Sequence, residues 1–373
     1  MTVFRPTYAE IDLSAIRDNI KAVRARVGPR VKIMPAVKAN GYGHGAVEVS
    51  RAVLEAGAEV LCVAIPEEGI ELREAGFDAP ILVLGCSTAD SAEEIVRRDI
   101  ASTICDLAYA RAVSEAAVGL GKKASVHLKV DTGMGRIGFR PEDAIDTMLA
   151  LHSLPGLSID GVFTHFPSAD EADRTYTTAQ IGLFKKTLDG LKRSGIPVAM
   201  AHASNSGGVL AYPEADFDAV RPGIMLYGSY PSFEVVHSIP IREAMTLKSH
   251  IVFLKEADPG TGVSYGRTHI LKSRAKVATL PIGYADGYSR MLSNRGEAAV
   301  RGVRVPVIGR VCMDQICIDV TEVPGVALGD EVILYGGGYD YLTANEIGRR
   351  AGTISDEVYC AVSPRVPRIY VNE

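Results

Sequence analysis

Val31-Lys-Ile-Met-Pro-Ala-Val-Lys-Ala-Asn-Gly-Tyr-Gly-His-Gly45 organises the reading of this chain. An apolar, strand-like run from Val31 to Val37 ends at Lys38. A loop carrying Gly41, Gly43 and Gly45 follows, and a helix-like stretch opens at Ala46. A lysine at a strand's end, beside backbone that a ligand can approach closely, suits two tasks. It can bind phosphate, or it can form a Schiff base with an aldehyde. A surface lysine leaving a strand is the ordinary alternative.

Outward from this stretch, apolar runs alternate with helical patterns from residue 11 to about residue 235. The first helix carries Ile16, Ile20, Val23 and Val27 on one face, with Asp12 or Ser14 as its cap. The strand candidates are Val31–Lys38, Val60–Ile65, Ile81–Gly85, Ala101–Cys105, Ser125–Val130, Ile159–His165, Val198–Ser204 and Ala219–Tyr227. Ala92–Arg98, Ala108–Leu120, Glu142–Leu151 and Thr177–Ser194 read as helices between them. Eight strands with alternating helices predict a closed parallel barrel, with an open doubly wound sheet as runner-up.

After about residue 240 short strands rich in Val, Ile, Gly and Pro take over: Leu247–Leu254, Ala275–Leu280, Ala298–Val300, Val303–Ile308, Ile316–Val320 and Glu331–Leu334. Turn signals such as Asp258-Pro259-Gly260 separate them. The expected class is α/β: an N-terminal (β/α)8 TIM barrel over 11–238, then a mostly antiparallel β domain over 239–373. The strand-like residues Val3–Glu10 are expected to join that second domain.

Composition narrows the function. Of 373 residues, 47% are hydrophobic and 23% charged, and the net charge is −5, so nucleic acid and anionic membrane are poor partners. No apolar stretch approaches the roughly 18 residues of a membrane span. The N-terminus lacks a signal peptide's apolar core, which predicts a cytoplasmic protein. Cys62, Cys86, Cys105, Cys312, Cys317 and Cys360 show no metal-site spacing and read as buried free thiols.

Barrel enzymes carry their chemistry at the C-terminal ends of the strands. Lys38 ends strand one. Arg136 follows strand five, within Lys129-Val-Asp-Thr-Gly-Met-Gly-Arg-Ile-Gly-Phe139. His165 ends strand six, and His202, Asn205 and Ser206 follow strand seven. Arg221, Gly223 and Ile224 come at strand eight. Singly, these are a core histidine, salt-bridge arginines and a plain turn. Together they converge on one rim, where Ser204-Asn-Ser-Gly-Gly208 offers backbone N–H groups and hydroxyls to a phosphate. Gly133-Met-Gly-Arg-Ile-Gly138 matches a dinucleotide fingerprint, but Arg140-Pro-Glu142 delays the helix and Asp160 starts a strand instead of ending one.

With these residues assembled, the chain resembles the alanine racemases over essentially its whole length. The densest motifs are Ala36–Gly45, Lys129–Gly138, Arg221–Gly228, Val263-Ser-Tyr-Gly-Arg-Thr268, Ile282-Gly-Tyr-Ala-Asp-Gly-Tyr288, Gly309-Arg-Val-Cys-Met-Asp-Gln315 and Arg365-Val-Pro-Arg368. The resemblance implies a pyridoxal 5'-phosphate enzyme that interconverts L- and D-alanine and supplies D-alanine for peptidoglycan. It implies that Lys38 holds the cofactor and is one catalytic base, and that Tyr265 is the base on the opposite face. That tyrosine comes from the second subunit of a homodimer. Tyr42, Ser206, Gly223 and Ile224 would hold the phosphate. Arg221 would face the pyridine nitrogen with His165 bonded to it, and His202 and Asn205 would support the rim. Arg136 and Met313 would contact the substrate, Lys129 would be carboxylated and orient Arg136, and Tyr284 and Arg290 would line the entrance.

One departure stands out. Asp356, in Ser355-Asp-Glu357 before Cys360, occupies the place of the family's entrance tyrosine. A carboxylate beside phosphate would repel it, so Asp356 is expected to face the entrance or pair with a cation. The space it leaves makes serine a second candidate substrate. The rival classes are a non-enzymatic cofactor carrier and a fold-related amino-acid decarboxylase. The extra β domain with Tyr265 and Met313 argues against the carrier, and the tyrosine of Val263-Ser-Tyr-Gly266 does not fit the decarboxylase.

Overall fold

A computed structural model describes residues 5–235 and 237–372. Val3 and Phe4 of the expected first strand lie outside them. The strand begins at β1 (Tyr8–Asp12), and Asp12 then caps α1 (Leu13–Val27), its Oδ1 accepting from the Ser14 and Ala15 amides. Ile16, Ile20 and Val23 are buried on one face of α1, as their spacing predicts, and Val27 is partly buried.

Strand and helix then alternate. The order is β2 (Lys32–Ile33), the single turn α2 (Lys38–Tyr42), α3 (Ala46–Glu55), β3 (Leu61–Val63), α4 (Pro66–Glu74), β4 (Ile81–Val83), α5 (Ala92–Arg97), β5 (Ala101–Ile104) and α6 (Leu107–Gly119). β6 (Ala124–Lys129), α7 (Ala144–His152), β7 (Leu157–Phe163), α8 (Thr175–Arg193), β8 (Ala201–His202), α9 (Ser206–Ala211) and β9 (Ala219–Val220) complete it. The eight strands β2 to β9 form one parallel sheet whose ends meet through an Ala36–Cys62 bridge. The sheet is therefore curled into a barrel, as expected.

The strands are shorter than the apolar runs that announced them. The regular part of β2 ends at Ile33 and that of β9 at Val220, although backbone bonds run on from the Met34 amide to the Val220 carbonyl and from the Ala36 amide to the Pro222 carbonyl, before a 3₁₀ turn at Ile224–Tyr227. The apolar runs continue because the emerging chain is still buried, so hydrophobicity outlasts the regular strands. Met34, Cys62, Leu82, Ala101 and Ala219 pack together inside the barrel. His127, Lys129, His202 and Arg221 lie nearer the C-terminal ends of their strands, and all four are buried.

The remaining chain builds a nine-stranded sheet. Its strands are β10 (Met245–His250), β11 (Phe253–Ala257), β14 (Ala275–Leu280), β15 (Glu297–Val300), β16 (Val303–Ile308), β17 (Ile316–Asp319), β18 (Glu331–Tyr335) and β19 (Arg368–Val371), together with β1. A small hairpin, β12 (Gly262–Val263) and β13 (His269–Ile270), projects beside it, and α10 (Ala344–Ala351) and α11 (Ser355–Cys360) precede β19. β1 pairs antiparallel with β10 and parallel with β19, so the chain's start is stitched into this sheet. The expected single strand Leu247–Leu254 is two strands, β10 and β11, which pair with different neighbours.

The cysteines correct the expectation of six buried thiols. Cys86 and Cys105 form a disulfide with a Cα–Cα distance of 6.3 Å. They lie in the loops after β4 and β5, which are parallel neighbours, so strand pairing brings them together despite their sequence separation. Cys62 is buried, Cys312 and Cys317 are half-buried and Cys360 is exposed.

Candidate active site

Lys38 opens a left-handed turn. Ala39, Asn40, Gly41 and Tyr42 have φ of +52°, +53°, +58° and +50°. That conformation costs a residue with a Cβ roughly 1–2 kcal/mol, so the turn has to be held from outside. Asn40 Oδ1 accepts from the Ala46 amide at 2.9 Å. Glu68 of α4 accepts from the Ala39 amide at 2.6 Å and from the Ala64 amide at 2.7 Å. Gly43 continues the turn at φ +78°, and a Cβ there would collide with the Tyr359 carbonyl of α11. The barrel loop and the β domain thus clamp the turn from two sides and aim Lys38 inward.

Lys38 borders two adjoining cavities. The first, about 280 Å³, is lined by Lys38, Lys129, Arg136, His165 and Arg221, and no carboxylate lines it. The second, about 200 Å³, is lined by Tyr42, Asn205, Ser206, Gly223, Ile224 and Asp356, along with Lys38. Here Asn205 caps α9, its Oδ1 accepting from the Gly208 amide at 3.0 Å while its Nδ2 donates to the Phe166 carbonyl. Ser206 Oγ accepts from the Gly223 amide at 2.9 Å and from the Met225 amide at 3.4 Å, which leaves its proton for a ligand.

Arg221 is buried at the junction. Its Nη2 donates to the Thr164 carbonyl at 2.7 Å and the Ala203 carbonyl at 2.8 Å, and its Nη1 donates to His202 Nδ1 at 2.6 Å. His165 Nδ1 accepts from it at 3.3 Å, so the expected His165–Arg221 bond is present but His202 is the closer partner. Burial lowers the guanidinium to about 10, which leaves it a cation at neutral pH. Burial and Arg221 together push His165 and His202 well below the ordinary histidine range. Burial does the same to the Lys129 amine, with Arg221's charge second. Lys129 Nζ has no hydrogen-bond partner and lies 4.7 Å from the centre of the Phe163 ring.

Asp356 lines the Ser206–Gly223 cavity, and no salt bridge reaches it among the described residues. Burial pushes its carboxyl up, Lys38 draws it down and Asp170 raises it again. Tyr265 and Met313 lie elsewhere: they border neither barrel cavity, and 72% and 52% of their surfaces are exposed. Tyr265 sits in the β12–β13 turn, where Ser264 Oγ donates to the Arg310 carbonyl at 2.6 Å. Tyr284 and Arg290 border a separate cavity of about 400 Å³ against α10 and α11. The fingerprint-like glycines form a loop in which Asp131 accepts from the Gly133 and Gly135 amides, with no helix at their end.

Two family models match the chain: the N-terminal domain of alanine racemase over residues 11–231 and the C-terminal domain over residues 244–370. The chain belongs to the alanine racemase family. An alanine racemase of Halothermothrix orenii is 47% identical over 372 residues, covering 100% of this chain and 98% of that one. The alanine racemase structure from Clostridium difficile 630 superposes with a TM-score of 0.94 at 40% identity, covering 100% and 96% of the two chains. The Bacillus anthracis alanine racemase, described with bound L-Ala-P, gives 0.93 at 36% identity, covering 100% and 97%.

Alanine racemases depend on pyridoxal 5'-phosphate, and the donor set here fits that group. Lys38 offers an amine to an aldehyde, Ser206 and Tyr42 offer hydroxyls to a phosphate, and Arg221 offers N–H donors beside them. Four features of the site were not read from the sequence: Glu68, Asp170, His127 and Gly161. His127 carried a usable signal, since it shares a face with Lys129 at the two-residue spacing of a strand. Gly161 sits inside β7, where glycine marks close approach. Glu68 looks like an ordinary first-turn acid, and Asp170 has no motif.

The histidines set an acid limit on stability. Burial lowers His44 to about 3 and His127 to about 4, alongside the depressed His165 and His202. Unfolding returns each to about 6.5. The unfolded chain therefore takes up protons first, and stability present above about 6.5 drains as pH falls towards 4. Asp216 and Glu243, raised by burial to about 6 and about 7, and Asp356, also raised by burial, act oppositely. Four histidines outweigh three carboxyls. The denaturation midpoint is expected to fall between pH 7 and pH 4.5, and a flat or rising midpoint would contradict this assignment.

Proposed function

We propose that two copies of this chain form the unit that interconverts L- and D-alanine, with pyridoxal 5'-phosphate on Lys38. Inverting a carbon centre requires a proton to leave one face and return at the other, so each face needs a base. When bound, the cofactor's conjugated ring supplies the electron withdrawal that acidifies the α-carbon. Lys38 takes one face, and Tyr265 of the partner subunit takes the other.

The observation that carries this reading is the separation of the two halves of the machinery. Lys38, Arg136 and Arg221 share the barrel cavity, whereas Tyr265 and Met313 stand exposed on the β domain. Exposed Tyr284, Met291 and Ile354 add apolar surface of the kind that partners cover. The barrel (11–238) would hold the cofactor, and the β domain (239–373 with 1–10) would lend its tyrosine to the neighbour. Ser206, Tyr42, Gly223 and Ile224 would hold the phosphate. Asn205 and His202 would brace that rim, Arg221 would offer its N–H to the pyridine nitrogen, and Arg136 with Met313 would orient the carboxylate. Arginine has no acceptor, so Arg221 would give the ring a hydrogen bond and no base. Tyr284 and Arg290 belong to the entrance. A cytoplasmic role in supplying D-alanine for peptidoglycan follows from this reaction.

Lys129 is the amine most suited to carboxylation. Its Nζ is unpaired and burial favours the neutral form, which can attack carbon dioxide, releasing a proton to water. The resulting carbamate would pair with Arg136 across the cavity. Intact-mass measurement should find a carbamate increment that Lys129→Ala abolishes; no increment in the wild type would remove it.

Tyr265→Phe tests the two-base reading. Racemisation should drop by about 10²–10⁴, the usual weight of a general base. One enantiomer should still exchange its α-hydrogen with deuterated solvent. Equal loss of exchange in both enantiomers would contradict separate bases.

A second reading rests on Asp356, which lines the phosphate-side cavity where the family has a tyrosine. The space and the carboxyl admit serine's hydroxyl. Asp356→Tyr should raise the alanine-to-serine ratio of kcat/KM, and an unchanged ratio would remove Asp356 from specificity.

A further inference from the structure

His127 and His202 stand on β6 and β8, with β7 between them. His127 follows a register shift in β6, and its backbone partner on β7 is Gly161. A Cβ at Gly161 would collide with the His127 ring. The missing side chain lets that ring cross β7, so that His127 Nδ1 lies 2.9 Å from His202 Nε2. The rings meet edge to face at 68°, and Phe163 stacks on the other ring, His202, at 4.7 Å. Neither histidine borders the Lys38 cavities.

Chemistry orders the protons along this chain. Arg221 can only donate, so His202 Nδ1, 2.6 Å from Nη1, must carry a lone pair. A neutral His202 then carries its proton on Nε2 and donates it to His127, whose Nδ1 accepts and whose proton lies on Nε2. The other tautomer of His202 would aim an N–H at an N–H.

We propose that His127 is a positioning residue for Arg221: by accepting from His202 across the gap at Gly161, it locks the His202 tautomer whose Nδ1 holds the guanidinium in place. Its effect on turnover rests on the reading that Arg221 meets the cofactor's ring. Burial pushes both histidines down, to about 4 for His127, so the relay stays neutral at working pH. Thr164 and Ala203 anchor only Nη2. Without His202's acceptor, Nη1 is free to swing.

The test uses three variants. His127→Leu keeps bulk and removes the acceptor. His127→Asn puts an amide oxygen near the place of Nδ1. Gly161→Ala drives the ring away from the opposite strand, and it serves should the leucine variant fail to fold. In ¹⁵N-histidine-labelled protein without cofactor, His202 should be a single Nε2–H tautomer in the wild type and in His127→Asn. It should be a mixture in His127→Leu and Gly161→Ala. With cofactor, the latter two should lose at least tenfold in kcat with KM within threefold of wild type, and His127→Asn should recover most of that loss. An unchanged His202 signal in His127→Leu or Gly161→Ala overturns the relay itself. An altered tautomer with wild-type kcat overturns the reading of Arg221 as the ring's partner, and the positioning role with it.

Discussion

A buried cation without a buried anion is the constraint on which the site depends. Arg221 is 3% exposed, and its partners are two carbonyls and two histidines, all neutral. Burying a charge without a counter-ion is costly unless its donors are satisfied by fixed acceptors. Every strand end around it therefore has a set task. β7 delivers the Thr164 carbonyl and the Phe163 ring, whose face lies 5.1 Å from the guanidinium carbon. β8 delivers the Ala203 carbonyl and His202. Burial, with this cation's charge second, pushes Lys129, His165 and His202 down from their ordinary ranges, so arginine is the fixed positive charge beside them. Such a cavity favours an anionic ligand.

The strained turn at Lys38 is the second half of that design. Four consecutive residues in left-handed conformation persist only because Glu68, Asn40 and the close approach of Tyr359 over-determine them. Tyr359 belongs to α11, which also carries Asp356. The β domain thus shapes its own chain's Lys38 cavities as well as carrying Tyr265. Cys86, bonded to Cys105, lines the same cavity as Lys38 and Lys129.

Much of this was legible in the chain. Alternating apolar runs and helical faces announced eight barrel strands in the right order, because most residues of these strands are buried and read as short continuous runs. The runs overstated strand length, since Met34–Val37 and Pro222–Tyr227 stay buried beyond the ends of the regular strands. The rim residues from Lys38 to Ile224 were singled out because barrel strands end on one side. What escaped depends on relations across the sheet. His127 and Gly161 matter only as neighbours on adjacent strands, and Cys86 and Cys105 only as neighbours in adjacent loops. Asp356 was identified as a substitution, but its direction was not readable. Tyr265 and Met313 were recognisable as motifs, yet a single chain does not bring them to Lys38.

In the proposed dimer, Lys38 of one subunit and Tyr265 of the other complete one centre. Two inactive proteins, Lys38→Ala and Tyr265→Phe, can be combined into a heterodimer purified through different tags on its two subunits. One centre would then hold both native residues and the other neither, so racemisation should return to about half that of the wild-type dimer. A heterodimer as inactive as its parents would contradict the shared site.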